Sequence, residues 1–378
     1  SYSYSLSMAV AICAGEISRV SRVWADGEEV ALRDLNMTVY RGSKDQQPDP
    51  LMEAVEGAGQ VPAYRGTAYV VIEDLMLESF GNRVPQFSFE VTRPVQDDAE
   101  DVPHAIRGVA MIPGTGEYAL ATEPVHMSYG GGSSAVVNVN SPTEAPDFNS
   151  SLDQLTTEMP GCGAVSLVVS WFGSDLRCAH CEIRPKIEQA EFDGKKMKWK
   201  VSGLARGDAQ LVPRIDDRPV YGGTPCDESV VQAIRRMTDQ GLSVMYYPFI
   251  LMDQLAGNGI EDPWSGATDQ PTLPWRGRIT LDVAPGRDGS ADGSAAAAVE
   301  VAAFFGSVTA ADFSVGNGTV GYSGPAEWSY SRFILHQAAL CAAAGGVEAF
   351  CIGSEMRALT QIRSDAGFPA VAMLQIGR

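Results

Sequence analysis

Three short apolar runs in the second half of the chain constrain its fold more than any other feature. They lie at 165–172, 243–250 and 350–352. The second and third runs each follow a stretch with helical periodicity that ends at a glycine, Gly241 and Gly345. A helix that ends at glycine and is followed by a buried strand is typical of βα units, which build parallel sheets. The pattern therefore predicts an α/β domain in this half.

The predicted α/β domain, at 150–378, has too few strands to close an eight-stranded barrel. We therefore expect it to be incomplete, with the rest of a barrel beyond Arg378. The chain begins at Ser1 and lacks the basic segment that opens a signal peptide, so we expect it to be a piece of a longer protein. A length of 378 residues also favours two or more domains.

The first part of the chain carries strand signals without long helices. Residues 67–72 form a compact apolar run that suits a strand buried on both faces, whereas 86–91 alternates polar and apolar residues, as in a strand with one wet face. We predict that these two strands pair, with a connection of about a dozen residues between them. Asp26-Gly27 predicts a hairpin turn. Residues 1–92 are thus predicted to form one β-rich module, giving an α+β multidomain protein.

The segment 93–149 is predicted to be a mixture of β structure and linker, because it contains the acidic run 96–101 and several turn signals. A net charge of -19 argues against a sequence-specific nucleic-acid surface. Hydrophobic content of 45% without a long apolar run predicts no transmembrane helix. Seven irregularly spaced cysteines do not form a secreted disulfide framework and favour assembly in the cytoplasm with reduced thiols.

Three carboxylates near the ends of the predicted strands are candidates for chemistry. Glu355 follows the third strand, Asp253 closes the second, and Asp175 follows the first. Barrel enzymes carry their active sites at the carboxyl ends of the strands, and a glycosidase needs two carboxylates. The pattern predicts Glu355 as a catalytic residue with Asp253 or Asp175 as its partner. The alternative is that Glu355 caps a helix or pairs with Arg357.

Aromatic residues near these strands could form a floor on which a sugar ring stacks, or they could pack in the core. The predicted substrate-binding residues are Trp171, Tyr246 and Trp328. Cys178 and Cys181 form a lone C-x-x-C pair without the further ligands that a structural zinc site needs. We therefore predict no metal and no cofactor.

Three strings in the first part of the chain resemble tail-tip hub proteins of long-tailed phages, and especially the hub ("megatron") proteins of gene transfer agents, which are domesticated phage-like particles. The strings are P-A-Y-R-G-T-A-Y-V-V-I-E-D-L (62–75), F-G-N-R-V-P (80–85) and the preceding loop G-x-x-D-Q-x-P-D-P (42–50). This resemblance implies a tail-hub module, and assembly of copies into a ring, by analogy a trimer.

The second half of the chain is similar to the TIM-barrel-like domain of gene transfer agent tail proteins, which is related in architecture to glycoside hydrolases. The matching strings are V-S-L-V-V-S-W-F-G-S-D-L-R-C (165–178), Y-G-G-T-P (221–225), V-M-Y-Y-P-F-I-L-M-D (244–253) and F-C-I-G-S-E-M-R (350–357).

Together the resemblances imply a structural baseplate or tail-tip hub protein that closes the tail tube and supports delivery of DNA into the host cell. Its expected location is the tail tip of a virion-like particle, and its expected partners are copies of itself and other tail and baseplate proteins. The alternative is a glycoside hydrolase that acts on cell-wall or surface glycan through Glu355.

Overall fold

The structure is a computed structural model that describes residues 4–93, 102–112, 116–141, 144–316 and 318–376. The chain mixes helices and strands, as predicted, and divides into two compact units. The first unit contains Ser1–Ile106 and Gln154–Gly161, and the second contains Arg107–Asp153 and Cys162–Arg378. The predicted acidic linker at 96–101 lies outside the described residues.

The first unit is built mainly from antiparallel strands. Its elements are β1 (Ser5–Ala14), β2 (Arg19–Ala25), β3 (Glu28–Val30), β4 (Met37–Tyr40), α1 (Pro50–Glu56), β5 (Thr67–Met76), β6 (Phe87–Thr92) and α2 (Val102–Ala105). The strands form two sheets, with the orders β1-β5-β4 and β3-β2-β6. Both sheets contribute to one apolar core, in which Val70 and Ile72 of β5 lie with Val20 and Val23 of β2.

The predicted pairing between β5 and β6 is wrong, although both strands exist. β5 pairs with β1 and β4, whereas β6 pairs with β2 in the other sheet. The connection between them contains a turn of 3-10 helix at Glu78–Phe80, followed by Gly81 and Asn82 with left-handed backbones (φ 67° and 57°). This connection is long enough to lead the chain from one sheet to the other.

Two other predictions for this unit are confirmed. Ala68–Ile72 of β5 is buried without a break, and β6 alternates between half-buried and exposed residues until its end. Ala25 pairs with Glu28 across Asp26-Gly27, whose φ values are 53° and 88°. Two positive φ values in a two-residue hairpin loop identify a type I′ turn, in which Asp-Gly is favoured.

The loop motif at 42–50 has a structural role in the first unit. The buried Gln46 side chain accepts a hydrogen bond from the Gly42 N–H (2.6 Å). Its amide nitrogen donates to the carbonyls of Ala63 (2.8 Å) and Tyr64 (3.0 Å). Asp49 begins α1 by accepting a hydrogen bond from Met52 N (2.8 Å). The motif therefore fixes the loop against the turn that precedes β5.

Substitution Gln46→Leu is expected to lower the free energy of unfolding of the first unit by about 2 kcal/mol. Leucine fills a similar volume but leaves the Gly42 N–H and the Ala63 carbonyl without their partner, and an unsatisfied buried polar group costs about 1–3 kcal/mol. Hydrogen exchange of the β5 amides, resolved by mass spectrometry, measures the change in this unit. The exposed neighbour variant Gln47→Leu is the control, and equal stability of the two variants would refute the role of Gln46.

The second unit is organised around four parallel strands. Its main strands are β7 (Gly108–Met111), β8 (His126–Ser128), β9 (Ser134–Val136), β10 (Ala164–Gly173), β19 (Ser243–Met252), β20 (Phe313–Val315), β21 (Val320–Tyr322) and β22 (Ala349–Phe350). Its helices are α3 (Asp147–Glu158, shared with the first unit), α4 (Asp227–Asp239), α5 (Ala295–Phe305), α6 (Tyr330–Ala344), α7 (Arg357–Gln361) and α8 (Pro369–Ile376). Two-residue strands fill the insertion after β10: β11 (Ile183–Arg184), β12 (Lys186–Ile187), β13 (Asp193–Gly194), β14 (Lys200–Val201), β15 (Leu204–Ala205), β16 (Gln210–Leu211), β17 (Arg214–Ile215) and β18 (Arg218–Pro219).

The parallel strands follow one another across the sheet in chain order, β7-β10-β19-β22. β10 and β19 pair along their whole lengths, from Ala164 opposite Ser243 to Gly173 opposite Met252. β7 was missed by the sequence prediction, which placed residues 108–111 in the mixed linker segment. Sequential parallel strands are the arrangement found in barrels. Within the described residues, however, β7 and β22 each pair with one strand of this sheet, so the sheet is open.

One segment, Ala295–Asp312, is long and apolar enough to be considered as a membrane span. Its α-helical part is α5, which has 11 residues and would span only about 16 Å at 1.5 Å per residue. Ala297, Val301, Phe304 and Phe305 of this helix belong to the core of the second unit. This segment is therefore weak evidence for a membrane span.

Candidate functional site

The three predicted carboxylates all follow parallel strands, but each has its own partners. Asp175 is buried and lies two residues beyond β10. Its carboxylate accepts hydrogen bonds from Arg177 Nη2 (2.8 Å) and from the buried Gln270 amide (2.6 Å). Gln270 in turn accepts a hydrogen bond from Leu176 N (2.9 Å). Asp175 thus anchors the loop that follows β10 to the later insertion.

Asp253 follows β19 directly and forms an ion pair with Lys186 of β12. Both side chains are nearly buried, with 9% and 13% of their surface exposed. Burial raises the pKa of the neighbouring Tyr221 hydroxyl, and the charge of Asp253 raises it further. This pair therefore links the carboxyl end of β19 to the insertion after β10.

Glu355 is the most accessible of the three carboxylates, with 51% of its side chain exposed. Trp275 Nε1 donates a hydrogen bond to its Oε2 (2.6 Å), and Arg276 Nη2 lies 3.2 Å from the same oxygen. Glu355 has a left-handed backbone (φ 54°), which is uncommon for a residue other than glycine and is often found at functional positions. Its carboxylate and the half-exposed Trp275 ring together form an open polar and aromatic surface.

Arg276 connects this surface to the core. The guanidinium is almost completely buried and lies 3.7 Å from the centroid of the Phe249 ring. It also donates hydrogen bonds to the Ser354 carbonyl (3.2 Å) and hydroxyl (3.1 Å). Burial lowers the pKa of Arg276, an effect that the Glu355 charge opposes. The sequence prediction missed both Trp275 and Arg276, because they lie in the long insertion at 254–293 and nothing in the local sequence indicates their contact with Glu355.

Two of the predicted substrate-binding rings are completely buried. Trp171 packs against Phe333 and His336, with ring centroids 5.3 and 5.5 Å away. Tyr246 donates a hydrogen bond to Gln337 Oε1 (2.5 Å) and stacks on Phe350. In this structure both rings serve the core, and their predicted contact with a sugar remains a prediction.

Trp328 is only partly buried and is flanked by two guanidinium groups. Arg332 lies 3.6 Å and Arg184 lies 5.0 Å from the Trp328 ring centroid. Burial lowers the pKa of Arg332 to about 10. The ring also meets Trp171 edge to face at 5.9 Å. These two cation–π contacts stabilise the position of the Trp328 ring.

The C-x-x-C pair lies in a turn of 3-10 helix, with both thiols buried and free. Burial raises the pKa of Cys181 to about 12 and that of Cys178 further. Neutral buried thiols are poor nucleophiles and poor metal ligands. The described ranges contain no group of three or more His, Cys, Asp or Glu side chains placed to hold a metal ion.

A cavity of about 440 Å³ lies near the carboxyl end of β7, where the sequence indicated no site. Glu117 lines it and forms a buried ion pair with Arg206 (2.6 Å). Arg206 also contacts Asp193 (3.2 Å), which accepts a hydrogen bond from the Tyr118 hydroxyl (2.6 Å). The Glu188 backbone N–H donates a hydrogen bond to the Glu117 carboxylate (2.7 Å). Burial raises the pKa of the Glu188 carboxyl group. These contacts make the cavity wall a connected polar network.

Comparisons with known proteins give one family match, which lies in the second unit, and a match to a solved structure. Residues 328–376, which run from Trp328 through α6, β22 and α7 to α8, match the family model of the GTA TIM-barrel-like domain. A solved structure, the virion of a native gene transfer agent particle, contains a chain with 62% sequence identity to this protein. That match covers 30% of this chain and 27% of the other, with a TM-score of 0.27, so this chain spans only a fraction of its relative.

No curated protein matches the chain. The family match includes Glu355 and the helix that carries His336 and Gln337. The resemblance to gene transfer agent proteins inferred from the sequence is confirmed for residues 328–376, which are similar to part of the GTA TIM-barrel-like domain.

Proposed function

We propose that the chain is a structural component of a phage-like particle, located at the tail tip, where copies of the first unit form a ring that closes the tail tube. The similarity to a gene transfer agent virion supports membership of such a particle. The strings at 62–75 and 80–85 support the hub position within it. By analogy with tail hubs the ring contains three copies, with other tail and baseplate proteins as neighbours, and it supports delivery of DNA.

The observation that carries this proposal is the exposed edge formed by β1. β1 has ten residues and pairs with β5 on one side only within the described residues. Apolar side chains near the start of β1 are exposed: Tyr4 just before the strand (56%), Leu6 in it (36%) and Met76 of β5, which pairs with Ser5 (51%). A long edge strand with exposed apolar residues is a template for pairing with another chain.

A hydrolytic role is supported less well. Neither the family match nor the virion structure supports a glycoside hydrolase. The Glu355 carboxylate is engaged by Trp275 and Arg276, while Asp253 and Asp175 are each paired with a cation of their own. Glu355 and Trp275 remain the candidate surface for contact with a cell-wall or surface glycan.

If copies of the first unit form a ring through β1, positive charge added to β1 should block self-association. Ala9 and Ala11 are exposed on β1, so Ala9→Lys with Ala11→Lys leaves the core of the unit intact. Like charges brought together around an axis should weaken association by at least about 100-fold, which corresponds to about 2.8 kcal/mol. Light scattering coupled to size-exclusion chromatography measures the mass at several concentrations.

The matched control is Ala54→Lys with Ala58→Lys, which adds the same charge at exposed positions in and after α1. We expect the control to associate like the unmodified chain. Equal association of the β1 variant and the control, or a monomer at every concentration of the unmodified chain, would contradict the proposal.

A further inference from the structure

A second cavity, of about 520 Å³, lies in the second unit beside the first turns of α4. Its lining is unusual for a chain with a net charge of -19, because it brings together four cationic side chains from two segments, 196–200 and α4. The charged lining residues are Lys196, Lys198, Lys200, Arg235, Asp227 and Glu228. A volume of this size is in the range of sites that bind small molecules, about 300–1,000 Å³.

The three lysines are held on one face by the residues between them. Lys196, Lys198 and Lys200 are exposed, whereas Met197, Trp199 and Val201 are buried. Trp199 fixes this segment by donating its Nε1–H to the Thr224 carbonyl (2.8 Å) and its backbone N–H to Asp193 (2.9 Å). All three lysines line the same cavity, so their ammonium groups contribute to one patch of positive charge.

These lysines have no acidic partner within the described part of the chain. None of the three ammonium groups forms an ion pair or a hydrogen bond there. Arg235, by contrast, donates to the carbonyl of Ala343 (2.8 Å) at the end of α6. The positive charge available to a ligand is therefore that of the lysines.

The lining of the cavity also contains two carboxylates, those of Asp227 and Glu228. Asp227 is occupied, since it pairs with His336 Nε2 (2.8 Å) and accepts a hydrogen bond from Ser202 N (3.1 Å). Glu228 is exposed and makes no hydrogen bond within the described ranges. A ligand that matches both the lysines and the free carboxylate needs anionic groups for the lysines and hydrogen-bond donors for Glu228.

We propose that this cavity binds an anionic saccharide, one that carries carboxylate or phosphate groups beside free hydroxyls. The hydroxyls of a sugar can donate to Glu228, whereas its acidic groups meet the lysines. A nucleic-acid backbone offers closely spaced phosphates for the lysines but few hydrogen-bond donors for Glu228, so it matches only part of the lining. The cavity is independent of the β1 edge, so its test and the test of ring formation can fail separately.

The test is isothermal titration calorimetry of the full chain with two probes, trigalacturonic acid for carboxylate and glucose 1,6-bisphosphate for phosphate. Binding of either probe supports the site, and the stronger one identifies the anionic group. Lys196→Gln, Lys198→Gln and Lys200→Gln combined should weaken that binding roughly 30-fold, because three ionic contacts are lost. The matched control removes three positive charges elsewhere on the surface, through Arg33→Gln, Lys44→Gln and Arg218→Gln, and should bind as before.

A pair of variants separates recognition of a sugar from simple charge attraction. Glu228→Gln and Glu228→Leu remove the same negative charge, but glutamine keeps an oxygen that accepts hydrogen bonds and leucine does not. If Glu228 accepts hydrogen bonds from sugar hydroxyls, Glu228→Leu should bind the saccharide several-fold more weakly than Glu228→Gln. Absence of binding for both probes, unchanged affinity of the triple lysine variant, equal saccharide affinity of the two Glu228 variants, or equal affinity for single-stranded DNA would each overturn the proposal.

Discussion

Arg206→Ala is expected to lower the free energy of unfolding of the second unit by about 3–5 kcal/mol, the usual cost of removing one partner from a buried ion pair. Arg206 and Glu117 are each about 5% exposed or less, and their side chains are 2.6 Å apart. Burial alone lowers the pKa of Arg206, but the hydrogen bond and charge of Glu117 raise it overall. Removal of the guanidinium leaves a buried carboxylate without its counter-ion.

Urea unfolding followed by tryptophan fluorescence measures this loss, because Trp199 lies beside Arg206 and five of the six tryptophans lie in the second unit. Arg218→Ala is the surface control, since the side chain of Arg218 is exposed, and should change stability by less than about 0.5 kcal/mol. The double change Glu117→Gln with Arg206→Met should cost much less than Arg206→Ala. A loss below about 1 kcal/mol for Arg206→Ala would show that the network does not stabilise the unit.

Trp171→Ala is expected to destabilise the second unit by a similar amount, about 3–5 kcal/mol, as for other large-to-small changes in cores. The indole is completely buried and packs against Phe333, His336 and Trp328. Alanine would leave a cavity between β10 and α6. The same unfolding experiment measures the change, and Trp171→Phe, which keeps most of the contacts, should lose less than half as much.

Trp171 was also predicted from the sequence to bind substrate, and the same variants test that role. If the ring served chiefly as a platform for a ligand, Trp171→Ala would change stability little and would abolish glycan binding. Stability within about 1 kcal/mol of the unmodified chain would therefore refute the core role that its burial indicates.

The sequence was most informative where hydrophobic periodicity is strong. The long buried strands β10 and β19 and the helices α4 and α6 were all predicted from local patterns, since a buried face imposes a period on the chain. β7 was missed because four residues, with exposed and half-buried positions, carry no distinct period. Its place in the sheet comes from pairing with β10, a contact more than 50 residues away along the chain.

Strand partners and contacts at the candidate site were less predictable, because they too join residues far apart along the chain. The burial of β5 follows from its composition, but nothing local specifies whether its neighbour is β6 or β1. Likewise, Glu355 was identified by its position after a strand, whereas Trp275 and Arg276 come close only through tertiary folding across about 80 residues. A single sequence contains no signal for contacts of that kind.

The central claim is that copies of the first unit meet around the axis of a particle tail through the edge formed by β1. A density map of assembled particles, in which residues 4–93 can be fitted, tests this claim most directly. The account predicts a closed ring of this unit at the tail tip, with β1 at the contact between adjacent copies. A map in which β1 faces solvent, or in which the chain occurs as one isolated copy away from the tail axis, would contradict it.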